Sequence, residues 1–158
     1  MNERIGVKQL DDSDVKKRTA REILEALPEW FGIVQAREEY IEKSASLLFF
    51  AAFDKENPIG FLALKETGIH TVELAVMGVL KPYHRQGVGR ALFAEAKKRA
   101  SLNGYSFIQV KTVQMGCYDE YDRTNLFYKS LGFKEFEVFP TLWDEANPCQ
   151  IYVMGIKQ

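Results

Sequence analysis

Two glycines one residue apart, in the run His84-Arg85-Gln86-Gly87-Val88-Gly89-Arg90-Ala91-Leu92, are the residues best placed to do chemistry in this chain. Without a Cβ they let the backbone pass close to a ligand. They stand where an apolar strand, Glu73 to Leu80, gives way to an amphipathic helix from Val88 onward. A helix starting there directs its first-turn N–H groups and the positive end of its dipole into the same space. The combination is an anion cradle suited to phosphate or diphosphate. Two phosphate-binding patterns fail on position. A Walker A loop requires Gly-x-x-x-x-Gly-Lys-Ser/Thr, which this sequence lacks. A dinucleotide fingerprint requires a small residue where Leu92 stands, and a glycine directly after the strand where Lys81-Pro82-Tyr83 intervenes. Metal chemistry finds no support, because two histidines and two cysteines, widely scattered, have no ligand spacing.

The elements that must hold this loop follow from periodicity. Arg4 to Leu10 alternates as a first strand, and Asp11 to Asp14 supply capping charge for a helix. Val15, Ile23, Leu24 and Leu27 share one face of that helix, and Pro28 closes it. Glu29-Trp30-Phe31-Gly32 reads as a short aromatic loop before a second helix, Gln35 to Lys43. Leu47 to Phe53 and Ile59 to Lys65 form a hairpin across Asp54 to Pro58, a turn longer than the tightest type. Thr71 to Leu80 is a third strand, in which Gly78 signals a bulge or a close backbone approach. The helix after the glycines carries Val88, Leu92, Ala96 and Ala100 on one stripe and ends at Asn103-Gly104. Ser106 to Val113 is a strand, and Tyr121 to Leu131 a helix stopped at Gly132. Strands Phe133 to Phe139 and Gln150 to Ile156 flank a loop from Pro140 to Pro148. The order β-α-α-β-β-β-α-β-α-β-β suits a mixed sheet flanked by helices, with one βαβ crossover through Gly87.

With these motifs in place, the sequence resembles the GNAT superfamily of acyl-CoA-dependent N-acyltransferases. The family signature Arg/Gln-x-x-Gly-x-Gly/Ala is matched by His84 to Gly89, with His84 in the Arg/Gln position. Phe127-Tyr128-Lys129-Ser130-Leu131-Gly132-Phe133 is close to the family's Tyr-x-x-Leu-Gly-Phe ending, and Glu73 and Val79 stand at its strand positions. The resemblance covers most of the chain. It implies one α/β (α+β) domain over residues 1–158, with a mixed, mostly antiparallel central sheet and splayed central strands. It implies that the main chain of Arg85, Gln86, Gly87, Val88, Gly89 and Arg90 holds the diphosphate of acetyl-CoA. The strand from Met77 to Val79 would pair with the pantetheine amides, and the Val79 N–H would face the oxyanion that develops on the thioester.

The implied reaction is direct attack of a neutral amine on a thioester in a ternary complex, since no nucleophile with a base partner is placed. Tyr128 matches the general acid that protonates the leaving thiolate, and Glu73 matches a base acting through water. Each also has an ordinary reading, Tyr128 as a packed ring and Glu73 as a solvent-facing strand residue. The family's asparagine position is held by Tyr121; Asn125, one turn later on the same face, would reach the pantetheine instead. Trp30, Phe31 and Trp143 occupy positions that shape the acceptor pocket in relatives. With Glu29, Asp144 and Glu145 they would favour a cationic amine. His84 is a rival base because histidine is the usual general base near neutral pH, though its place beside phosphates suits a cofactor contact better. Two alternatives stand beside this reading: a module that binds acyl-CoA without turnover, and a transferase of longer acyl groups with room near Gly78.

Composition narrows the partners. The 158 residues, 46% hydrophobic, suffice for the ordinary core of one domain. A net charge of −1 makes no electrostatic case for nucleic acid or an anionic membrane. No apolar run reaches the ~18–20 residues of a spanning helix. The first residues, Met1 to Gly6, carry no signal-peptide segment, and neither Cys117 nor Cys149 belongs to a Cys-x-x-Cys pair. The expectation is a reduced, cytoplasmic protein acting on a small-molecule or peptide amine. Its last strands, rich in Phe and Val, would either close the core or offer a homodimer surface.

Overall fold

In the computed structural model, which describes residues 4–157, apolar alternation and tight reversals produce a mixed sheet in the order β1-β2-β3-β4-β5-β7-β6. The strands are β1 (Ile5–Leu10), β2 (Leu48–Asp54), β3 (Asn57–Gly68), β4 (Thr71–Val79), β5 (Phe107–Val113), β6 (Lys134–Asp144) and β7 (Asn147–Gly155). The helices are α1 (Ser13–Glu25), α2 (Pro28–Phe31), α3 (Val34–Ser44), α4 (Val88–Leu102) and α5 (Asp119–Leu131), with a 3₁₀ turn at Lys81–Tyr83. The chain forms two compact units. One gathers the residues up to Lys65 with Ala75–Ala100, the other Glu66–Leu74 with the residues from Ser101 onward.

In the first unit β1, β2 and β3 pair antiparallel in sequence. Ala20, Ile23, Leu24 and Leu27 of α1 join Ile41 of α3, Phe49 and Ala51 of β2, Phe61 and Ala63 of β3, and Val76 of β4 in one core. Asp12 starts α1 by accepting the Val15 N–H at 2.9 Å, a cap that contributes about 1 kcal/mol. At Gly78 a Cβ would meet Ile23 Cγ2 and Leu27 Cδ1, both at 3.0 Å. This glycine therefore marks the close approach of α1 to β4. The space beside it is filled by side chains of α1.

In the second unit the start of β4 runs parallel to β5, with Thr71, Val72 and Glu73 opposite Phe107, Ile108 and Gln109. β7 lies antiparallel to β5 along its whole length, and β6 antiparallel to β7. Gly132, at φ +105°, ends α5 in the left-handed conformation with its N–H donated to Lys129 O.

Three expectations need correction. Pro28 does not merely close α1: it takes the first position of the one-turn helix α2, where its missing N–H is not needed, so Glu29, Trp30 and Phe31 are helical. The β2–β3 hairpin uses the tightest turn, because Lys55 accepts a left-handed φ of 58° and Asp54 pairs with Asn57. The loop drawn from Pro140 to Pro148 is mostly strand; Asp144 pairs with Asn147, so Trp143 belongs to β6.

Candidate active site

The glycine turn is built in the first unit. Gly87 O accepts the Ala91 N–H at 3.0 Å, which makes Gly87 the residue that caps α4. Having no side chain, it cannot satisfy the first-turn amides as a serine or aspartate would. Arg85 and Gly87 are both left-handed, at φ 62° and 81°. Left-handed residues set among ordinary ones turn successive N–H groups to one side, which makes an anion-binding concavity. Val88 and Leu92 anchor the helix in the core, while Arg85, Gln86 and Arg90 are exposed and Gly89 half-buried. A Cβ on Gly87 would meet nothing within 4 Å, so the conformation, not crowding by the protein, requires glycine.

Left-handed geometry at Arg85 costs roughly 1–2 kcal/mol, and neighbouring contacts hold it. Tyr83 donates its hydroxyl to Asp54 Oδ2 at 2.7 Å, and Arg4 meets the same oxygen at 3.3 Å. That hydrogen bond to a carboxylate holds the Tyr83 phenol above its ordinary pKa. Gln86 Nε2 donates to Pro82 O at 2.8 Å. Lys81 pairs with Glu29 of α2. Both partners of this pair are exposed.

The end of β4 supplies main-chain groups. The Leu80 N–H donates to Ile59 O of β3 at 2.8 Å. By the two-residue period of a strand, the N–H and C=O groups of Met77 and Val79 then turn away from β3. His84 Nε2 lies 2.6 Å from the Val79 carbonyl oxygen. The His84 ring meets Trp30 edge-on, with centroids 6.0 Å apart. Phe31 packs edge-on against Tyr40 at 5.9 Å. The structure thus brings Trp30, His84 and Val79 together, and Glu29 and Lys81 beside them.

The second unit holds Tyr128, Asn125 and Glu73. Tyr128, on α5, is 8% exposed and packs among Phe127, Phe133 and Tyr152 with ring centroids 5.9–6.2 Å away. Asn125 is fully buried. Its Nδ2 donates to Val113 O at 2.8 Å and Tyr121 O at 2.7 Å, and its Oδ1 accepts the Tyr152 hydroxyl at 2.6 Å. Both amide protons are engaged within the protein, so the side chain ties α5 to β5 and β7 rather than reaching outward to pantetheine. Glu73 is only 16% exposed at its side chain, and its Oε1 sits 2.9 Å from Lys111 Nζ. The ammonium lies off the line of a hydrogen bond, so charge alone holds that oxygen. Glu73 is therefore an ion-pair partner and not a solvent-facing residue. Burial pushes the nearby Cys149 thiol above its ordinary pKa, with Lys111 opposing and Glu73 reinforcing the shift. Trp143 is 47% exposed on β6, and Asp144 Oδ1 accepts from Asn147 in the β6–β7 turn.

Sequence reasoning missed Lys111, Asp54 with Tyr83, and the inward role of Asn125. Lys111 offered the one usable signal, a charge inside an apolar strand whose neighbours Val110 and Thr112 are buried. Among the described residues no group of three His, Cys, Asp or Glu side chains is placed to hold a metal. No described helix is long and apolar enough to cross a membrane.

A glycine turn caps the helix after the fourth strand of a mixed seven-strand order, and comparison with known proteins says which family builds this arrangement. Residues 45–135 match the family described as "Acetyltransferase (GNAT) domain". An uncharacterized N-acetyltransferase of Chlorobaculum tepidum is 29% identical over 104 residues, which is 64% of this chain and 61% of that protein. The match therefore spans less than two thirds of that relative's length. In fold, an aminoglycoside 6'-N-acetyltransferase complexed with coenzyme A superposes with a TM-score of 0.74 at 20% identity, covering 97% of this chain and 98% of the other. The ribosomal-protein-S18-alanine N-acetyltransferase of Escherichia coli gives 0.73 at 18% identity, covering 98% and 95%. The chain belongs to the GNAT acetyltransferase family.

Proposed function

We propose that this protein moves an acetyl group from acetyl-CoA to a primary amine, by direct transfer in a ternary complex. The observation that carries the reading is the left-handed Arg85–Gly87 turn feeding α4. Its amides suit a diphosphate, and the helix dipole adds about 0.3–1 kcal/mol. Met77 and Val79, with main-chain groups turned from β3, would receive the pantetheine amides, and the Val79 N–H the oxyanion. The neutral amine attacks the thioester carbon and the C–S bond breaks. The thiolate takes the Tyr128 proton, and the proton lost by nitrogen leaves through water to Glu73. Because Oε1 faces Lys111, Oε2 is the oxygen that accepts. Trp30, Phe31 and Trp143 would line the acceptor side. The relatives named above act on an aminoglycoside and on a protein alanine, so the acceptor class is open to assay.

Calorimetry with coenzyme A, followed by thiol-release assays across polyamines, aminoglycosides, amino acids and peptides, tests the proposal. Tyr128→Phe should keep coenzyme A affinity within about twofold and lose about a hundredfold or more in kcat. Absence of coenzyme A binding would sink the reading. Binding without turnover of any amine would leave an acyl-CoA-binding module. Full turnover by Tyr128→Phe would remove the tyrosine from the chemistry.

A further inference from the structure

The last main-chain acceptor on the side of β4 away from β3 already has a donor, and the donor comes from the glycine motif itself. His84 Nε2 stands 2.6 Å from Val79 O. A carbonyl oxygen only accepts, so Nε2 carries the proton. The backbone makes this contact possible. The 3₁₀ turn Lys81–Tyr83 folds the chain back, the His84 N–H donates to Lys81 O at 3.1 Å, and His84 is extended at φ −64°, ψ 148°. Arg85 then turns left-handed into the cradle. The ring also meets Trp30 in an edge contact at 71°. One imidazole therefore bridges the end of β4 and the start of the phosphate turn.

We infer that His84 is a positioning residue that sets the distance between these two parts of the donor site, so that one long ligand can engage both at once. The inference rests on the proposed reading that acyl-CoA lays its pantetheine along β4 and its diphosphate in the turn. A ligand held at two points gains from their preset spacing, because the second contact forms without further ordering. A ligand touching one point gains nothing from it. His84 thus acts on the linked molecule and leaves its fragments alone.

The test compares two ligands, coenzyme A and adenosine diphosphate, the second carrying the diphosphate without the pantetheine arm. In calorimetry His84→Ala should weaken coenzyme A by about tenfold, the scale of one net hydrogen bond with its ordering. It should change adenosine diphosphate by less than about twofold. His84→Gln, whose amide can donate to the same carbonyl, should recover coenzyme A affinity to within about threefold. Nitrogen-15 spectra of the unsubstituted protein, with His70 as the other histidine, should show His84 protonated at Nε2. Equal weakening of both ligands would indicate a collapsed turn and overturn the inference. So would undiminished coenzyme A binding in His84→Ala, failure of glutamine to rescue, or a proton on Nδ1 alone. Failure of the proposed function is seen separately, as an unsubstituted protein that binds no coenzyme A.

Discussion

Each residue that matters here is defined by what its backbone or its partner forces on it. Gly87 is required by φ alone: at 81° it is left-handed, and a Cβ would meet nothing within 4 Å. Gly87→Ala should therefore lose only the conformational term, about 1 kcal/mol, lowering Tm by roughly 2–4 °C for a chain of this size. Coenzyme A affinity should fall further than stability, because the left-handed turn that the methyl strains is the one proposed to hold the diphosphate. Paired thermal melts and calorimetry check this, and an unchanged affinity would move the diphosphate elsewhere. The glycine pair was legible in sequence because its chemistry is local. The partners of His84, Glu73 and Asp54 were not. Glu73 finds Lys111 only once β4 and β5 align in parallel. Asp54 finds Tyr83 across 29 positions, a distance no spacing rule reaches.

Elements were read correctly where one apolar face or a strong stop signal governs them, as with Val88, Leu92, Ala96 and Ala100 in α4 or Gly132 after α5. They were misread where tertiary pairing extends a strand through residues of loop-like composition. Pro140 to Trp143 fall in β6 because the strand regains β7 at Asp144, opposite Asn147, and the register irregularity between Phe139 and Asp144 accommodates them, the proline included. α5 shows the same dependence from within. Asn125 reads as a polar helix residue, yet it is fully buried and joins Val113, Tyr121 and Tyr152. Its removal would orphan a strand carbonyl and a tyrosine hydroxyl in the interior. Asn125→Ala should cost about 2–4 kcal/mol, seen as a lower urea midpoint with an unchanged slope. Coenzyme A affinity should stay within about twofold, because the amide faces inward. A large loss of affinity with intact stability would restore the cofactor contact that the family pattern suggested for this residue.

Across the molecule, the acidic groups displaced upward share one consequence. Tyr83 and Tyr105 are raised chiefly by hydrogen bonds to Asp54 and Glu66, while burial raises Cys149 and Tyr152. Each binds its proton more tightly folded than unfolded. Between the unfolded and folded pKa of such a group the native state holds more protons, so stability falls as pH rises. The contribution is fully present below the unfolded values, about 8.5 for a thiol and 10 for a phenol, and is lost through the alkaline range above them. Urea midpoints should therefore decline between pH 8 and pH 10.5, and Cys149→Ala should decline less than the unsubstituted protein across the same interval. The two thiols give an independent reading of the same burial. Cys117 is exposed and Cys149 buried, so iodoacetamide at pH 8 should label one cysteine of the native protein quickly and the second only in denaturant. Rapid labelling of both, or a midpoint that holds or rises with pH, would mean that β7 does not seal Cys149 in the interior.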